Sequence, residues 1–168
     1  MPTVNNVTRL LDSRRIRYTA YDLPSDKLGA SETARLLDVE PASVFKTIVV
    51  TRDKPTSSLK GKKPLLAVVP GDSNVDLKLL AAVLGEKKVY LPTEREAEQL
   101  TCLQAGGISP LALLNKCFQL VIYSSAEIFD EINVSVGQRG LNLKLGVTDL
   151  VKLSNASIAT VSKPDLNE

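Results

Sequence analysis

The sequence predicts a single α/β domain, with a mixed, partly curled sheet and helices packed outside it. Three observations carry this. The chain has 168 residues, 43% of them hydrophobic and 24% charged, which suits one sizeable core in a globular protein. Short runs rich in Val, Ile and Leu alternate irregularly with stretches of helical period. Late in the chain two apolar arms flank Gly137-Gln138-Arg139-Gly140, the pattern of a hairpin. With no internal repeat and no dividing linker, one domain is expected over residues 1–162 and a frayed tail over 163–168.

In order, Asn5 to Arg15 reads as a first helix, with Val7, Leu10 and Leu11 at helical spacing and Asn5 as its cap. Arg14, Arg15 and Arg17 follow, a solvated face or an RNA contact. Tyr18 to Tyr21 is a short strand. A helix capped by Ser31 runs to Leu37, with Ala34 and Leu37 inward. Glu40-Pro41 opens a short turn, and Phe45 to Val50 is a buried strand. Thr51 to Pro64 is a polar connection with five cations against Asp53, a hairpin loop that could also touch a phosphate backbone. Leu65 to Val69 is a second apolar strand, stopped by Pro70-Gly71-Asp72.

Asp76 caps a helix that buries Leu77, Leu80, Ala81 and Leu84 and ends at Gly85. Lys88 to Leu91 is a short strand. Thr93 to Glu96 has the form of a capping box opening a helix to about Leu100. Gln119 to Tyr123 and Ile132 to Val136 are strands, and Leu141 to Leu145 completes the hairpin. Thr148, or the residue before it, caps a helix to Leu153, and Ser157 to Val161 is a final strand.

Composition excludes several chemistries. There is no histidine, so no Ser-His-Asp or Cys-His mechanism and no histidine metal site. Neither a Gly-x-Gly-x-x-Gly stretch nor a phosphate-binding P-loop is present, and neither metal nor cofactor is expected. Cys102 and Cys117 form no Cys-x-x-Cys pair and read as buried structural thiols. A net charge of +2 does not announce nucleic-acid binding. No apolar run approaches the roughly 18 residues of a membrane span, and the start M-P-T-V-N-N-V shows no signal-peptide pattern. A cytoplasmic protein is expected.

Two stretches stand out. Lys46 lies inside the Phe45–Val50 strand and shares its face with Ile48 and Val50. An ammonium on an apolar face is expensive unless it reaches water or an anion. It either snorkels out at the strand end or sits at the mouth of a pocket for an anionic group. Ala105 to Pro110 reads A-G-G-I-S-P. The paired glycines form either a tight structural turn or a loop whose N–H groups face an oxyanion or phosphate. Arg139, at the hairpin tip, is solvated or binds an anion.

V-F-K-T-I-V-V at 44–50, L-L-A-V-V-P-G-D at 65–72, D-L-K-L-L-A at 76–81, G-E-K-K-V at 85–89, A-G-G-I-S-P-L at 105–111 and N-V-S-V-G-Q-R-G-L at 133–141 together resemble the YbaK family of trans-acting aminoacyl-tRNA editing proteins. That family is similar to the editing domain of bacterial prolyl-tRNA synthetase. The resemblance covers nearly the whole chain. It implies a mixed, barrel-like sheet and metal-independent hydrolysis of the ester joining a wrong amino acid to tRNA. It implies mischarged tRNA as partner, and prolyl-tRNA synthetase as a further candidate; the oligomeric state is not implied.

By that resemblance Lys46 is the functional lysine. Gly106, Gly107, Ile108, Ser109 and Pro110 form the substrate loop. Ser135, Gly137 and Arg139 line the pocket, with Phe45, Thr47 and Tyr21 as further substrate contacts. Lys46 would hold the terminal adenosine phosphate, and N–H groups from Gly106 to Ser109 would stabilise the developing oxyanion. Water, or a thiol carried by the substrate, would attack. Thr47 alternates onto the face opposite Lys46, which gives it a supporting role. The chain departs from the family pattern at Ala112-Leu113-Leu114-Asn115-Lys116, where cysteine-type members carry a basic segment. It also has Gly137-Gln138-Arg139-Gly140 for the common Gly-Lys-Arg-Gly. Small-residue mischarged tRNA, Cys-tRNA(Pro) first, is the expected substrate. The alternatives are a non-catalytic tRNA- or synthetase-binding module of the same fold, and an esterase for small acylated metabolites.

Overall fold

The computed structural model describes residues 4–26, 28–52, 63–116 and 118–164. Five helices and nine strands are found among them: α1 (Asn6–Ser13), β1 (Tyr18–Asp22), α2 (Ala30–Leu37), β2 (Phe45–Val50), β3 (Leu65–Pro70), β4 (Ser73–Val75), α3 (Leu77–Leu84), α4 (Glu94–Thr101), β5 (Gln119–Tyr123), β6 (Glu131–Ser135), β7 (Leu141–Gly146), α5 (Val147–Ser154), β8 (Ser157–Ala159) and β9 (Ser162–Pro164).

Two sheets face each other. One is antiparallel, in the order β1-β7-β6; the other is mixed, in the order β2-β3-β5-β8. β3 is apolar from Leu65 to Pro70 and buried throughout, as expected of a strand covered on both faces. Its Leu66 and Val68 join Phe45, Val49 and Ile122 in a core shared with Ile132, Val134, Leu143 and Leu145 of the opposite sheet. The other face, with Val50, Leu65, Ala67 and Val69, is covered by Leu80 and Ala81 of α3 and by Val161. At one side the sheets nearly join. β2 and β6 are both edge strands, and a bridge between Val44 and Asn133 links them. The result is the mixed, barrel-like sheet that the family resemblance implied.

Local chemistry sets most of the element ends. Asn5 caps α1 by accepting from Val7 and Thr8, Asp76 caps α3, and Thr93 with Glu96 forms the capping box of α4. Gly85 ends α3 in the left-handed conformation.

Several expectations are corrected. Ser31 does not cap α2: the helix starts two residues earlier than that cap would set, Gly29 is the cap, and Thr33 Oγ1 donates to the Gly29 carbonyl. Gly146, not Thr148 or Val147, caps α5. Lys88 to Leu91 forms no strand. Tyr90 alone pairs, with Thr51, and Pro92 has no N–H with which to extend the pairing. Ser157 to Val161 stops as β8 at Ala159. The chain then pairs again: Ser162–Pro164 runs antiparallel to β4, and Ser162 Oγ donates to the Asn74 carbonyl at 2.7 Å. The tail is therefore held as far as Pro164, and 165–168 lie outside the described residues. Cys102 is exposed, not buried, because it occupies the left-handed cap after α4. Cys117 and most of the basic connection (53–62) also lie outside the described residues.

Candidate active site

β2 brings Lys46 to a cavity because it is the edge of its sheet. The cavity, about 430 Å³, opens where β2 diverges from the β6–β7 hairpin. Val44 to Val49 form one wall, Ser135 and 138–142 a second, and Ala105, Gly106 and Ile108 a third. Leu23, Pro24, Asp26 and Leu28 and the start of α4 close the remaining side. Lys46 keeps the predicted parity with Ile48 and Val50, lying across from Val69 of β3. Its Nζ donates to the Gly71 carbonyl at 3.4 Å. Gly71 is itself fixed: its N–H donates to the Val44 carbonyl at 2.8 Å, and an added Cβ would lie 1.8 Å from Ala30 Cβ. Thr47, on the other face, lines the same cavity, since an edge strand presents both faces at its rim.

The glycine loop is held by several contacts. The Ala105 N–H donates to Glu98 Oε2 at 3.0 Å. The Ala105 carbonyl accepts from Arg139 Nε at 2.8 Å, and the Gly106 carbonyl from Ser135 Oγ at 3.1 Å. The Gly107 N–H closes a turn on the Gln104 carbonyl at 2.9 Å. Gly107 also packs against backbone: an added Cβ would fall 2.8–3.0 Å from the main chain of Gln138. The N–H groups of Gly106 and Ile108, both cavity-lining residues, have no hydrogen-bond partner among the described residues. Two such donors two residues apart, uncommitted among the described residues, suit an oxygen that gains negative charge during a reaction.

Not every residue expected here reaches the cavity. Phe45, Lys46, Thr47, Gly106, Ile108, Ser135 and Arg139 line it; Gly107, Ser109, Pro110, Gly137 and Tyr21 do not. Ser109 is fully buried, and its Oγ accepts from the Leu111 N–H at 3.1 Å, fixing the loop's exit. Gly137 and Pro110 border two other surface depressions. Tyr21 is paired with Asn142 within the three-stranded sheet. Arg139 is no solvated tip residue, because its Nε holds the glycine loop.

Sequence reasoning missed Asn142, Asp26 and Glu94, all of which line the cavity. Asn142 lies across from Ser135 on β6 and is 5% exposed. Its Oδ1 is buried without a hydrogen-bond partner among the described residues. In Leu141-Asn142-Leu143-Lys144-Leu145 the alternation marked this face as polar, but nothing in the sequence marked it as covered.

Comparison with known proteins bears on the family and the fold. The aminoacyl-tRNA editing domain family matches residues 25–153. EbsC of Enterococcus faecalis, provisionally assigned as a Cys-tRNA(Pro)/Cys-tRNA(Cys) deacylase, is 30% identical over 159 residues, covering 94% of this chain and 92% of its own. A segment of the proline–tRNA ligase of Desulforamulus reducens is 32% identical over 111 residues, 66% of this chain and 17% of the ligase. Among solved structures, the hypothetical protein APE2540 superposes with a TM-score of 0.81 at 23% identity, covering 95% of this chain and all of its own. A structure provisionally described as a trans-editing enzyme for prolyl tRNA synthetase gives 0.75 at 20% identity, covering 96% of this chain and 99% of its own. The chain belongs to the aminoacyl-tRNA editing domain family, in its YbaK-like branch. This is a family of aminoacyl-tRNA deacylases. No helix among the described residues is long and apolar enough to cross a membrane.

Proposed function

We propose that this protein clears mischarged tRNA in trans, cleaving the ester between a small amino acid and the terminal ribose, with Cys-tRNA(Pro) as the leading substrate. The observation that carries the reading is that Gly106 and Ile108 line the cavity beside Lys46 with N–H groups uncommitted among the described residues. The likeness to EbsC and to a segment of a proline–tRNA ligase supports cysteine and tRNA(Pro). The same ligase likeness makes prolyl-tRNA synthetase a candidate docking partner.

The chemistry follows from what the cavity contains and lacks. Among the described residues its lining includes no cysteine, and the chain has no histidine to activate a lining hydroxyl. Water or the substrate itself is the nucleophile of this reading. An aminoacyl ester is already activated, so orientation and oxyanion stabilisation supply much of the rate. The carbonyl oxygen lies toward the Gly106 and Ile108 N–H groups, and Lys46 holds the phosphate of the terminal nucleotide. With water, a C–O bond forms to the carbonyl carbon, the bond from that carbon to the ribose 3′-oxygen breaks, and the departing 3′-oxygen takes the proton. With a cysteinyl group the substrate thiol attacks instead: a C–S bond forms, the same ester bond breaks, and a cyclic thiolactone leaves. Neither route needs a metal.

The test is a deacylation time course with substoichiometric protein and tRNA(Pro) charged separately with cysteine, alanine and proline, beside Lys46→Ala. Clearance of one mischarged species over many turnovers, with a folded but inactive Lys46→Ala, is the expected result. Normal turnover by that variant would refute the lysine's role. Stoichiometric tRNA binding without clearance would favour a binding module of the same fold.

A further inference from the structure

Three side-chain atoms buried among the described residues have no hydrogen-bond partner: Ser125 Oγ, Asn133 Oδ1 and Asn142 Oδ1. Of the three residues only Asn142 lines the cavity. A buried acceptor without a donor is costly; at the cavity-lining Asn142 a half-turn of the amide, whose O and N are nearly equal in shape, would present it to a ligand that brings an N–H or O–H. We infer that Asn142 receives the α-ammonium of the acyl group, so that the site takes esters of free amino acids and rejects acyl groups that lack that ammonium, N-blocked peptidyl esters among them.

This rests on the deacylase reading and deepens it. The placement supports the ammonium in particular. Within an aminoacyl ester the amino nitrogen lies about 2.5 Å from the carbonyl carbon, from standard bond lengths and angle. Whatever binds it must therefore adjoin the oxyanion donors. Asn142 does: it is the cross-strand neighbour of Ser135, whose hydroxyl donates to the Gly106 carbonyl. That hydroxyl oxygen keeps lone pairs for a second donor. An ammonium has three protons to give, which matches more than one acceptor. The charge balance of the lining agrees. Asp26 and Glu94 stand with Lys46 and Arg139 around one cavity, an environment suited to a ligand cationic at one end and anionic at the other.

The test uses tRNA(Pro) bearing cysteinyl or alanyl groups, each beside its counterpart lacking only the amino group, 3-mercaptopropionyl or propionyl. The thiol is kept within the first pair, so either nucleophile remains open. The wild-type protein should clear the amino-bearing ester about 10–100-fold faster in kcat/KM, the loss expected for a charged hydrogen bond. Asn142→Ala should bring the amino-bearing ester down to its counterpart and leave the counterpart nearly unchanged. Asn142→Asp, which keeps an acceptor there, should retain the preference and shows that the position tolerates substitution. Equal clearance of the two members of a pair by the wild type, or equal loss on both in Asn142→Ala, would overturn the inference alone. So would a loss that follows removal of the terminal 2′-hydroxyl instead of the amino group. Clearance of none of the four esters would overturn the deacylase reading itself.

Discussion

Gly107→Ala is the perturbation that most directly tests how the site is built. An added Cβ would lie 2.8 Å from Gln138 C, 2.9 Å from its Cα and 3.0 Å from its N, where ordinary contact begins at 3.4 Å. All three neighbours are backbone, so no side-chain rotation relieves the clash. The loop and the hairpin tip must separate by about half an ångström. Overpacking of this kind costs about 1–3 kcal/mol, which at this chain length lowers Tm by about 2–4 °C per kcal/mol. The effect on rate should be larger than on stability. The same shift carries the Gly106 and Ile108 N–H groups off the carbonyl oxygen, and loss of an oxyanion donor costs about 100–1,000-fold in kcat. Single-turnover deacylation and a thermal melt measure the two effects separately. Gly29→Ala is the control, since nothing lies within 4 Å of its added Cβ; it should keep the wild-type rate and lose only the modest stability that separates Gly from Ala at a helix cap. A Gly107→Ala protein with wild-type single-turnover rate would refute the placement of the oxyanion donors on this loop.

Arg139→Lys keeps the charge but loses the Nε donor to Ala105. It should lower kcat about 10-fold with little change in KM, read from steady-state kinetics, as expected of a positioning group. Asn5→Ala removes the bonds to the Val7 and Thr8 N–H groups and the 2.9 Å bond from Nδ2 to the Val136 carbonyl. It should cost about 1–2 kcal/mol in urea unfolding. Ser31→Ala, by contrast, should change stability by less than about 0.5 kcal/mol, because Gly29 caps α2; a full capping loss would contradict the helix start.

What was legible in the sequence was what local pattern controls. β2 and β3 are continuous apolar runs. Asn5, Asp76 and Thr93 are caps whose partners lie two or three residues away. The parity of Lys46 with Ile48 and Val50 follows from strand geometry alone. The glycine pair announced a special backbone position, which Gly107 fills through its contact with Gln138. What was not legible depends on distant chain. β4 and β9 are three residues each and form because each meets the other, some 90 positions away. Lys88 to Leu91 has strand-like composition but meets a partner only at Tyr90. Nothing local marks Asn142 as buried in a cavity lining. Ser109 and Arg139 were found by motif, yet they hold the loop by contacts that a motif does not describe.

The way the loop is held bears on how such a site works without histidine or a nucleophile of its own. Glu98, Ser135, Arg139 and Gln104 bind the backbone groups around Gly106, and they come from α4, β6, the hairpin tip and the loop itself. The contacts within the loop leave the Gly106 and Ile108 N–H groups as donors still to be used. A site that contributes fixed dipoles and no proton relay gains rate only insofar as those dipoles stay put while charge develops. Rigidity here is thus a chemical requirement. It fits the backbone-on-backbone packing just behind the cavity lining, at Gly107 against Gln138, where a side chain in the same place could rotate away.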